Sequence, residues 1–297
     1  MKVISVGEVL WDVVGQEEHL GGAPFNFAAH LKRLEHEVFF VSATGQDERG
    51  DRITERLKGL GLTTRHIARI RDYPTGIATV DLGGDGQPHF TIHHPAAYDF
   101  AKLADTELGE LQSEQPDWIY YGTLFQMSPQ GRSLIRALTE MNAGAGRFYD
   151  VNLRKNCYEP VLVRDLMSAA NVVKLSEEEV PEVGAMLGLA HDLLEDFCRS
   201  LARRYSFKAV CVTRGAAGCA LEAGGEYAEV PGYSVPVVDA IGAGDAFAAA
   251  FLHGLAKGWS AAAIGDFANR VAALVVSCPG AIPAWTIEEV QSLVRRV

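Results

Sequence analysis

The stretch Asp239-Ala240-Ile241-Gly242-Ala243-Gly244-Asp245 runs without a break into the apolar segment Ala246-Phe247-Ala248-Ala249-Ala250-Phe251-Leu252. Small residues that lead to an acid and an alanine-rich segment predict a tight loop opening onto a buried helix. The first backbone amides of a helix have no partner within it, and they lie at the positive end of the helix dipole. The sequence therefore predicts an anion site, in which the amides of Gly242, Ala243 and Gly244 surround a phosphate oxygen.

Asp245 is unexpected at such a site, because a carboxylate repels a phosphate. One use would compensate for this repulsion, namely that the carboxylate accepts a proton from an attacking hydroxyl group. The other interpretation is an aspartate that caps the start of an alanine-rich core helix. This stretch alone leaves both interpretations open.

Composition limits the classes of protein to consider. The chain has 297 residues, of which 48% are hydrophobic and 22% charged, as in ordinary soluble globular proteins. The formal net charge of −11 argues against nucleic acid as a partner, because binding to a phosphate backbone needs a basic surface. No apolar run has the length of a membrane span, and the first seven residues predict a strand rather than a signal peptide, so we expect a cytoplasmic protein.

The cysteines give no sign of a metal site or of a disulfide framework. The chain has five of them, an odd number without C-x-x-C spacing. Most lie in apolar surroundings, as is typical of reduced thiols in a core. Any anionic ligand must then be held by local groups or through a cation.

Short β-rich runs alternate with helical patterns through most of the chain. The runs are residues 3–6, 38–42, 118–121, 148–151, 172–175 and 209–213. This alternation predicts an α/β fold with a mostly parallel sheet covered by helices on both faces. We find no boundary between independent domains and expect a single domain over residues 1–297. Ligands of such folds bind at the carboxyl ends of the strands, so candidate functional residues should follow the strands.

A glycine pair follows the first strand, in the stretch Gly21-Gly22-Ala23-Pro24-Phe25-Asn26, and a helical pattern continues from it. Two glycines allow the backbone to approach a ligand closely, and the Asn26 amide can both donate and accept hydrogen bonds. These properties suit a ligand rich in hydroxyl groups. The alternative is a plain turn in which Asn26 caps the helix.

Residues 65–94 break the alternation of strands and helices. The runs Gly76–Leu82 and Pro88–Ile92 are separated by the turn Gly83-Gly84-Asp85-Gly86, which predicts an antiparallel hairpin. We expect residues 11–14 to join it, so that segments 11–20 and 65–98 form a small lid over the main sheet. The adjacent His93 and His94 suggest a metal, but neighbours on a strand point to opposite faces, which favours ordinary surface or interface histidines.

The middle strands also end in polar residues. Alternation places Asp150, Asn152 and Arg154 on one side, where oxygen atoms could hold Mg²⁺-bound waters and the guanidinium could meet a phosphate or a substrate. A surface turn would explain any one of the three equally well. Ser176 and Glu179 fit an S-x-x-E capping box, and their spacing favours that role over a metal network.

Together these motifs resemble the ribokinase-like (PfkB) carbohydrate kinases over essentially the whole chain, and fructokinases most closely. The stretch Gly21-Gly22-Ala23-Pro24-Phe25-Asn26-Phe27-Ala28, with Gly45 at the expected distance, is similar to the N-terminal signature of the family. Residues 239–250 are similar to its C-terminal signature. Two separate motifs are far more specific than a single glycine-rich loop.

The resemblance implies a three-layer αβα sandwich with a small β-sheet lid, and ATP-dependent phosphorylation of a sugar. Asp245 would be the base and the amides of residues 242–244 the anion hole. The resemblance also implies that the sugar is bound by Asp12, Gly22 and Asn26, with Arg154 near the sugar or the transferring phosphate. The nucleotide would be bound by Thr213, Gly215, Asn269 and Lys174. Asn152 and Glu179 would support Mg²⁺ through water, and Asp239 and Ile241 would form a monovalent-cation site for K⁺. The resemblance finally implies a homodimer formed through the lid.

The chain departs from the family pattern at three positions. Glu35 replaces the usual Gly or Ser, which we expect at a helix end away from the chemistry. Ser176 replaces the Asn of the N-x-x-E motif, which weakens the expectation of a magnesium network. Ala240 replaces the usual Thr in the loop that contributes to the cation site of many relatives.

The sequence supports other functions less well. A nucleotide-dependent oxidoreductase would need G-x-G-x-x-G after the first strand, where Gly7-Glu8-Val9-Leu10 stands instead. A sugar- or nucleotide-binding regulator without activity is disfavoured by the presence of Asp245. Among kinases, 2-keto-3-deoxygluconate, ribose and nucleosides remain alternative substrates to fructose, because a few side chains decide which hydroxyl groups are satisfied.

Overall fold

The computed structural model of the chain describes residues 1–82, 88–189 and 191–295. The strands are β1 (Lys2–Val6), β2 (Leu10–Val14), β3 (Glu17–Gly21), β4 (Glu37–Gly45), β5 (Ile67–Ile70), β6 (Gly76–Leu82), β7 (Pro88–Ile92), β8 (Trp118–Gly122), β9 (Gly146–Asp150), β10 (Val172–Ser176), β11 (Ala209–Thr213), β12 (Cys219–Ala223) and β13 (Glu226–Val230). The helices are α1 (Ala23–Arg33), α2 (Glu48–Gly59), α3 (Asp105–Ser113), α4 (Pro129–Met141), α5 (Pro160–Ala169), α6 (Val180–Leu187), α7 (Leu194–Tyr205), α8 (Ala243–Ala256), α9 (Ala261–Val276) and α10 (Ile287–Ser292).

The strands form a nine-stranded sheet and a smaller four-stranded sheet. The order in the larger sheet is β13-β12-β11-β10-β9-β8-β1-β4-β5, and the order in the smaller sheet is β3-β2-β6-β7. The larger sheet is mostly parallel, with β12 and β13 antiparallel at one edge, and helices lie on both of its faces. The α/β class predicted from the alternation of strands and helices is confirmed.

By its internal contacts the chain divides into two compact units. The first unit contains residues 2–119 and 125–145, and the second contains Met1, Tyr120–Leu124 and the chain from Gly146 onward. The first unit holds β1, β4 and β5 together with the whole small sheet. The second unit holds β9 to β13 and the long helices α8 and α9.

The predicted hairpin exists, because β6 pairs antiparallel with β7, and β2 joins β6 as expected. The predicted turn at residues 83–86 lies outside the described residues. Two details differ from the prediction. Strand β3 was not predicted and pairs antiparallel with β2. Strand β5 pairs with β4 in the larger sheet, so residues 67–70 do not belong to the small sheet.

Within the first unit, α2 holds one edge of the small sheet. The Trp11 indole N–H donates to the carbonyl of Arg49 over 3.3 Å, and the Arg52 guanidinium carbon lies 4.0 Å from the centroid of the Trp11 ring. The Glu18 carboxylate on β3 accepts hydrogen bonds from both arginines. Their guanidinium groups hold the pKa of Glu18 below its usual range. Strands β2 and β3 are therefore attached to α2 by aromatic and ionic contacts.

The chain after α1 shows where Glu35 lies. Helix α1 ends at Arg33, and Glu35 lies just beyond it with φ of 63°, in the left-handed region that favours glycine. Glu35 is thus at a helix end, as predicted. In the described part of the chain, no helix is both long and apolar enough to cross a membrane.

Helix α8 is buried along most of its length. All residues from Ala246 to Leu252 are buried, and the Phe251 ring lies 5.5 Å, centroid to centroid, from that of Phe148 on β9. Small alanine side chains let the helix approach its neighbours closely. The tightly packed body of α8 fixes the position of its first turn.

Candidate active site

The predicted loop and helix start are present in the second unit. Gly242 is the N-cap of α8, with φ of 79°. A Cβ atom at this position would lie 2.6 Å from the Ala281 Cβ and 2.7 Å from its carbonyl oxygen, so only glycine fits. Ala243, Gly244 and Asp245 form the first helical turn, whose amides have no partner within the helix. The Ala243 amide donates to the Ala240 carbonyl, outside the helix, over a long 3.4 Å. Because Gly242 is the N-cap, the interpretation of Asp245 as a capping residue is wrong.

Asp239 holds this loop in shape. One oxygen of its carboxylate accepts a hydrogen bond from the Ile241 amide over 2.9 Å, and the other accepts one from the Gly280 amide over 3.0 Å. These bonds join the loop before α8 to the loop after α9. The Ala240 side chain is exposed and, as a methyl group, offers no oxygen to a cation.

A buried ion pair lies next to this helix start. The Lys174 ammonium donates to both oxygens of the Asp150 carboxylate, over 2.9 and 3.1 Å, and the Tyr120 hydroxyl donates to Asp150 over 2.9 Å. A Cβ atom at Gly244 would lie 3.8 Å from the Lys174 nitrogen. A fixed positive charge therefore lies beside the predicted anion hole.

The environment keeps this charge in place. Burial alone would lower the pKa of Lys174, but the Asp150 carboxylate outweighs it, and the charges of Glu179 and Asp245 act in the same direction. The pKa of Lys174 is therefore raised, and the side chain stays protonated. The sequence placed Lys174 at the nucleotide but missed its partner. The signal exists only in the sheet register, which puts Lys174 of β10 opposite Asp150 of β9.

The residues after β9 do not lie on one strand face as alternation predicted. The strand ends at Asp150, which is fully buried, and Asn152 has φ of 40°, outside the extended region. Asn152 is half-buried, whereas Arg154 is exposed. The prediction failed because a left-handed residue ends the alternation of side chains on a strand.

Glu179 closes the capping box that was predicted from its spacing to Ser176. Its carboxylate accepts a hydrogen bond from the Ser176 amide over 2.7 Å and another from the Leu153 amide. Burial raises the pKa of Glu179, and the two backbone hydrogen bonds oppose that effect. Glu179 and the Asn152 amide offer oxygen atoms, which are the ligands that Mg²⁺ prefers, so the residues fit a water-mediated role. Among the described residues no three His, Cys, Asp or Glu side chains cluster as direct metal ligands.

The nucleotide candidates lie around β11 and α9. Thr213 is the last residue of β11, and Gly215 begins the turn that follows, with φ of 52°. Asn269 is buried in α9, and its amide nitrogen donates to the carbonyls of Val230 and Pro231 over 3.1 and 3.3 Å. In this structure Asn269 therefore holds the backbone after β13.

The sugar candidates of the first unit surround the glycine pair. A Cβ atom at Gly22, where φ is 112°, would lie 2.6 Å from the carbonyl oxygen of Glu8, and one at Gly21 would lie 2.4 Å from an Asp12 carboxylate oxygen. Asp12 on β2 and Asn26 in α1 are 8% and 3% exposed. Gly22 is the N-cap of α1, so the alternative that Asn26 caps this helix is wrong.

The histidine pair has ordinary polar partners. The His93 ring nitrogen Nε2 lies 3.0 Å from the Thr79 hydroxyl, and His94 Nδ1 lies 2.8 Å from the Asp99 carboxylate. The hydrogen bond to Asp99 raises the pKa of His94. These contacts agree with surface histidines rather than with metal ligands.

Comparisons with known proteins all find carbohydrate kinases. Residues 3–287 match the model of the pfkB family of carbohydrate kinases. A fructokinase from Escherichia coli is 28% identical over 302 residues, which cover 95% of this chain and 95% of that protein.

Solved structures show the same fold. The crystal structure of a fructokinase from Xylella fastidiosa with bound ATP superposes with a TM-score of 0.85 at 25% identity, covering 98% of this chain and 97% of that one. A 2-dehydro-3-deoxygluconokinase from Thermotoga maritima superposes with a TM-score of 0.85 at 21% identity, covering 99% of each chain. At that identity the likeness shows the shared fold alone.

Proposed function

Because the chain belongs to the pfkB family of carbohydrate kinases, we propose that it transfers the terminal phosphoryl group of ATP to a hydroxyl group of fructose, forming fructose 6-phosphate. Asp245 accepts the proton of the attacking hydroxyl. The amides of Gly242, Ala243 and Gly244 hold the oxygens of the transferring group. The fructokinase names of the E. coli and X. fastidiosa relatives support the choice of sugar.

The observation that carries this proposal is the first turn of α8 beside Lys174. The helix start has a glycine N-cap and a buried ammonium next to it, which together suit an anion. The acid in its first turn can accept a proton. Phosphoryl transfer needs these parts, since it depends on in-line placement and charge neutralisation rather than on covalent chemistry by the protein.

The sugar is positioned by polar groups and by glycine backbone. Asp12 and Asn26 offer a carboxylate and an amide to sugar hydroxyl groups, and Gly22 lets the backbone come close. Arg154 contacts the sugar or the transferring phosphate. The small sheet acts as a lid that excludes water, because water would otherwise accept the phosphoryl group in place of the sugar.

The nucleotide lies along Thr213, Gly215 and Asn269, with Lys174 next to its phosphates. Asn152 and Glu179 would hold a Mg²⁺ ion through water, and the ion would neutralise charge on the phosphate oxygens. Backbone carbonyls at Asp239 and Ile241 offer a site for K⁺. We expect the enzyme to act in the cytoplasm as a homodimer.

The alternatives within the family are 2-keto-3-deoxygluconate, ribose and nucleosides, and outside it a sugar-binding regulator without activity. Because relatives that share this fold phosphorylate different substrates, the fold does not choose among them. Steady-state release of ADP, measured by a coupled assay across a panel of sugars and nucleosides, tests the proposal. We expect the highest kcat/KM with fructose. No sugar-dependent ADP release with any member of the panel would refute it.

A further inference from the structure

The segment that follows α10, residues 293–295, is joined to a tyrosine in the second unit by a compact polar cluster. The Asp266 carboxylate on α9 accepts hydrogen bonds from the Tyr233 hydroxyl over 2.6 Å, from Arg270 over 2.8 Å and from Arg295 over 2.7 Å. The guanidinium carbons of both arginines lie 4.9 Å from the centroid of the Tyr233 ring. Both arginines thus lie near the Tyr233 ring, and both arginines and the tyrosine hydroxyl bind the same carboxylate. We call Asp266, Arg270 and Arg295 the clamp on Tyr233.

Arg270 fixes the course of the chain that carries Arg295. Its terminal nitrogen donates to the carbonyls of Gln291 over 3.2 Å and of Leu293. The end of α10 is thereby tied to α9. Arg295 consequently reaches Tyr233 from a backbone that is already held.

Charge and protonation favour the cluster at neutral pH. Burial alone would raise the pKa of Asp266, but the hydrogen bond from Tyr233 and the guanidinium of Arg270 hold it below its usual range. Burial, together with the hydrogen bond to Asp266, raises the pKa of Tyr233 to about 12. The carboxylate therefore accepts and the tyrosine hydroxyl donates throughout the physiological range.

Tyr233 lies in the segment 231–238, which runs from β13 to the loop at Asp239. This segment packs against the turn that follows Thr213. A Cβ atom at Gly232 would lie 2.3 Å from the carbonyl oxygen of Ala216, and one at Gly218 would lie 2.5 Å from the Gly232 nitrogen. With backbones this close, a shift of Gly232 must move the turn at residues 215–218 as well.

We infer that the clamp formed by Asp266, Arg270 and Arg295 on Tyr233 positions the nucleotide-binding turn at residues 215–218, so that the segment after α10 controls ATP affinity. The inference rests on the proposed function, because that proposal places the nucleotide at this turn. The clamp touches no reacting group, and its members are positioning residues.

The test compares Arg295→Gln with Arg295→Lys, using ATP titration by calorimetry without sugar and steady-state kinetics with fructose. We expect Arg295→Gln to raise the Kd and KM for ATP roughly 3- to 10-fold, since it removes a partly exposed ion pair and a cation–aromatic contact. The KM for fructose and kcat should stay within about twofold, and Arg295→Lys, which keeps the charge, should recover part of the loss. Arg136→Gln, which removes an exposed arginine paired with Glu140 on α4, is the control and should change nothing.

An unchanged ATP Kd in Arg295→Gln, even with a lowered melting temperature, would overturn the inference and leave the proposed function intact. Equal losses in ATP and fructose affinity would also overturn it. Tyr233→Phe, which removes only the hydroxyl, should shift ATP affinity in the same direction by a smaller factor. A wild-type protein that phosphorylates no sugar but binds ATP would refute the proposed function, while the calorimetric comparison would still decide the clamp.

Discussion

Lys174 and Asp150 form an ion pair with almost no access to solvent, since their side chains are 8% and 1% exposed. Taking two charges out of water costs several kcal/mol per ion, and the attraction between them often only balances that cost. Well-packed apolar residues in place of this ion pair would stabilise the fold equally well. The position of Lys174 beside Gly244 indicates what the pair contributes, namely a fixed positive charge at the proposed anion hole.

This interpretation predicts that stability and activity separate in a double variant. Lys174→Met and Asp150→Asn should each lower the free energy of unfolding by roughly 3–5 kcal/mol, because each leaves the other charge of the pair buried and unpaired. Combining them removes both charges with little change in volume and should recover most of the stability. Activity should stay low, on the order of 10²-fold below wild type, because the ammonium is missing.

Urea unfolding and steady-state kinetics on the same three proteins measure both quantities. Arg164→Met, which changes an exposed arginine on α5, is the control for a lost positive charge. A double variant with restored stability and near-normal kcat would show that the pair is purely structural.

Sequence reasoning at the scale of residues succeeded where the signal is local. The Ser176–Glu179 capping box depends on spacing within one turn, and the structure has it. It failed where the signal depends on pairing between strands, because the spacing of Asp150 and Lys174 in the chain says nothing about register. The sequence also left open whether Asn26 caps α1, and the backbone decides this question, because Gly22 is the N-cap.

At the scale of elements, the loop before α8 is held by Asp239, whose two carboxylate oxygens both accept backbone amides. We expect a cation at this loop to use backbone carbonyls around Asp239, Ile241 and residues 279–281, because the Ala240 side chain has no oxygen. With one ligand fewer than a threonine would give, such a site would bind a monovalent cation more weakly.

We therefore predict that K⁺ stimulates the kinase without being required. Activity should persist when K⁺ is replaced by Na⁺ or Tris at constant ionic strength, at a reduced rate. The Ala240→Thr variant should show a stronger response to K⁺, with half-maximal stimulation at a lower concentration. Complete dependence of the wild-type enzyme on K⁺ would contradict the idea of a weakened site.

The elements that the sequence predicted are those with strong apolar runs. Strands β1, β4, β8, β10 and β11 are buried on both faces and appear as continuous hydrophobic segments. Strand β3, Glu-Glu-His-Leu-Gly, has no such run and exists because β2 pairs with it. The hairpin of β12 and β13 was missed although Gly224-Gly225 between two short runs is a recognisable turn signal.

At the scale of the whole molecule, the small sheet has two different faces. Register places Ile92 opposite Ala78, and Ala78 opposite Asp12, so these residues share one face. Ile77 is the partner of Trp11 and lies on the other face. Ile77 and Ile92 are both half-buried, and an isolated sheet of few strands is marginal in water.

Helix α2 already covers the Trp11 end of the Ile77 face. We predict that a second copy of the chain covers the rest of that face, since the proposed function gives the opposite face, that of Asp12, to the sugar. A two-fold pairing is the commonest way for identical chains to close an assembly. Ile77→Asp should give a monomer, and Ile92→Asp should stay dimeric with weakened fructose affinity. ATP affinity should remain near normal in both variants.

Sedimentation velocity and separate titrations of fructose and ATP test this prediction. Leu193→Asp, which changes an exposed apolar residue of the second unit, is the control and should sediment as wild type. A wild-type protein that is monomeric and fully active at micromolar concentration would show that the small sheet does not pair.

The most direct test of the whole account is the turnover of Asp245→Asn. Losing a general base typically costs about 10²–10⁴-fold in rate, whereas ATP affinity should hold or rise because a negative charge near phosphate is removed. Asp196→Asn is a matched control, since Asp196 is also the third residue of its helix, α7, and is exposed. We predict that kcat with fructose falls by that factor in Asp245→Asn alone, and a kcat within a few-fold of wild type would contradict the account.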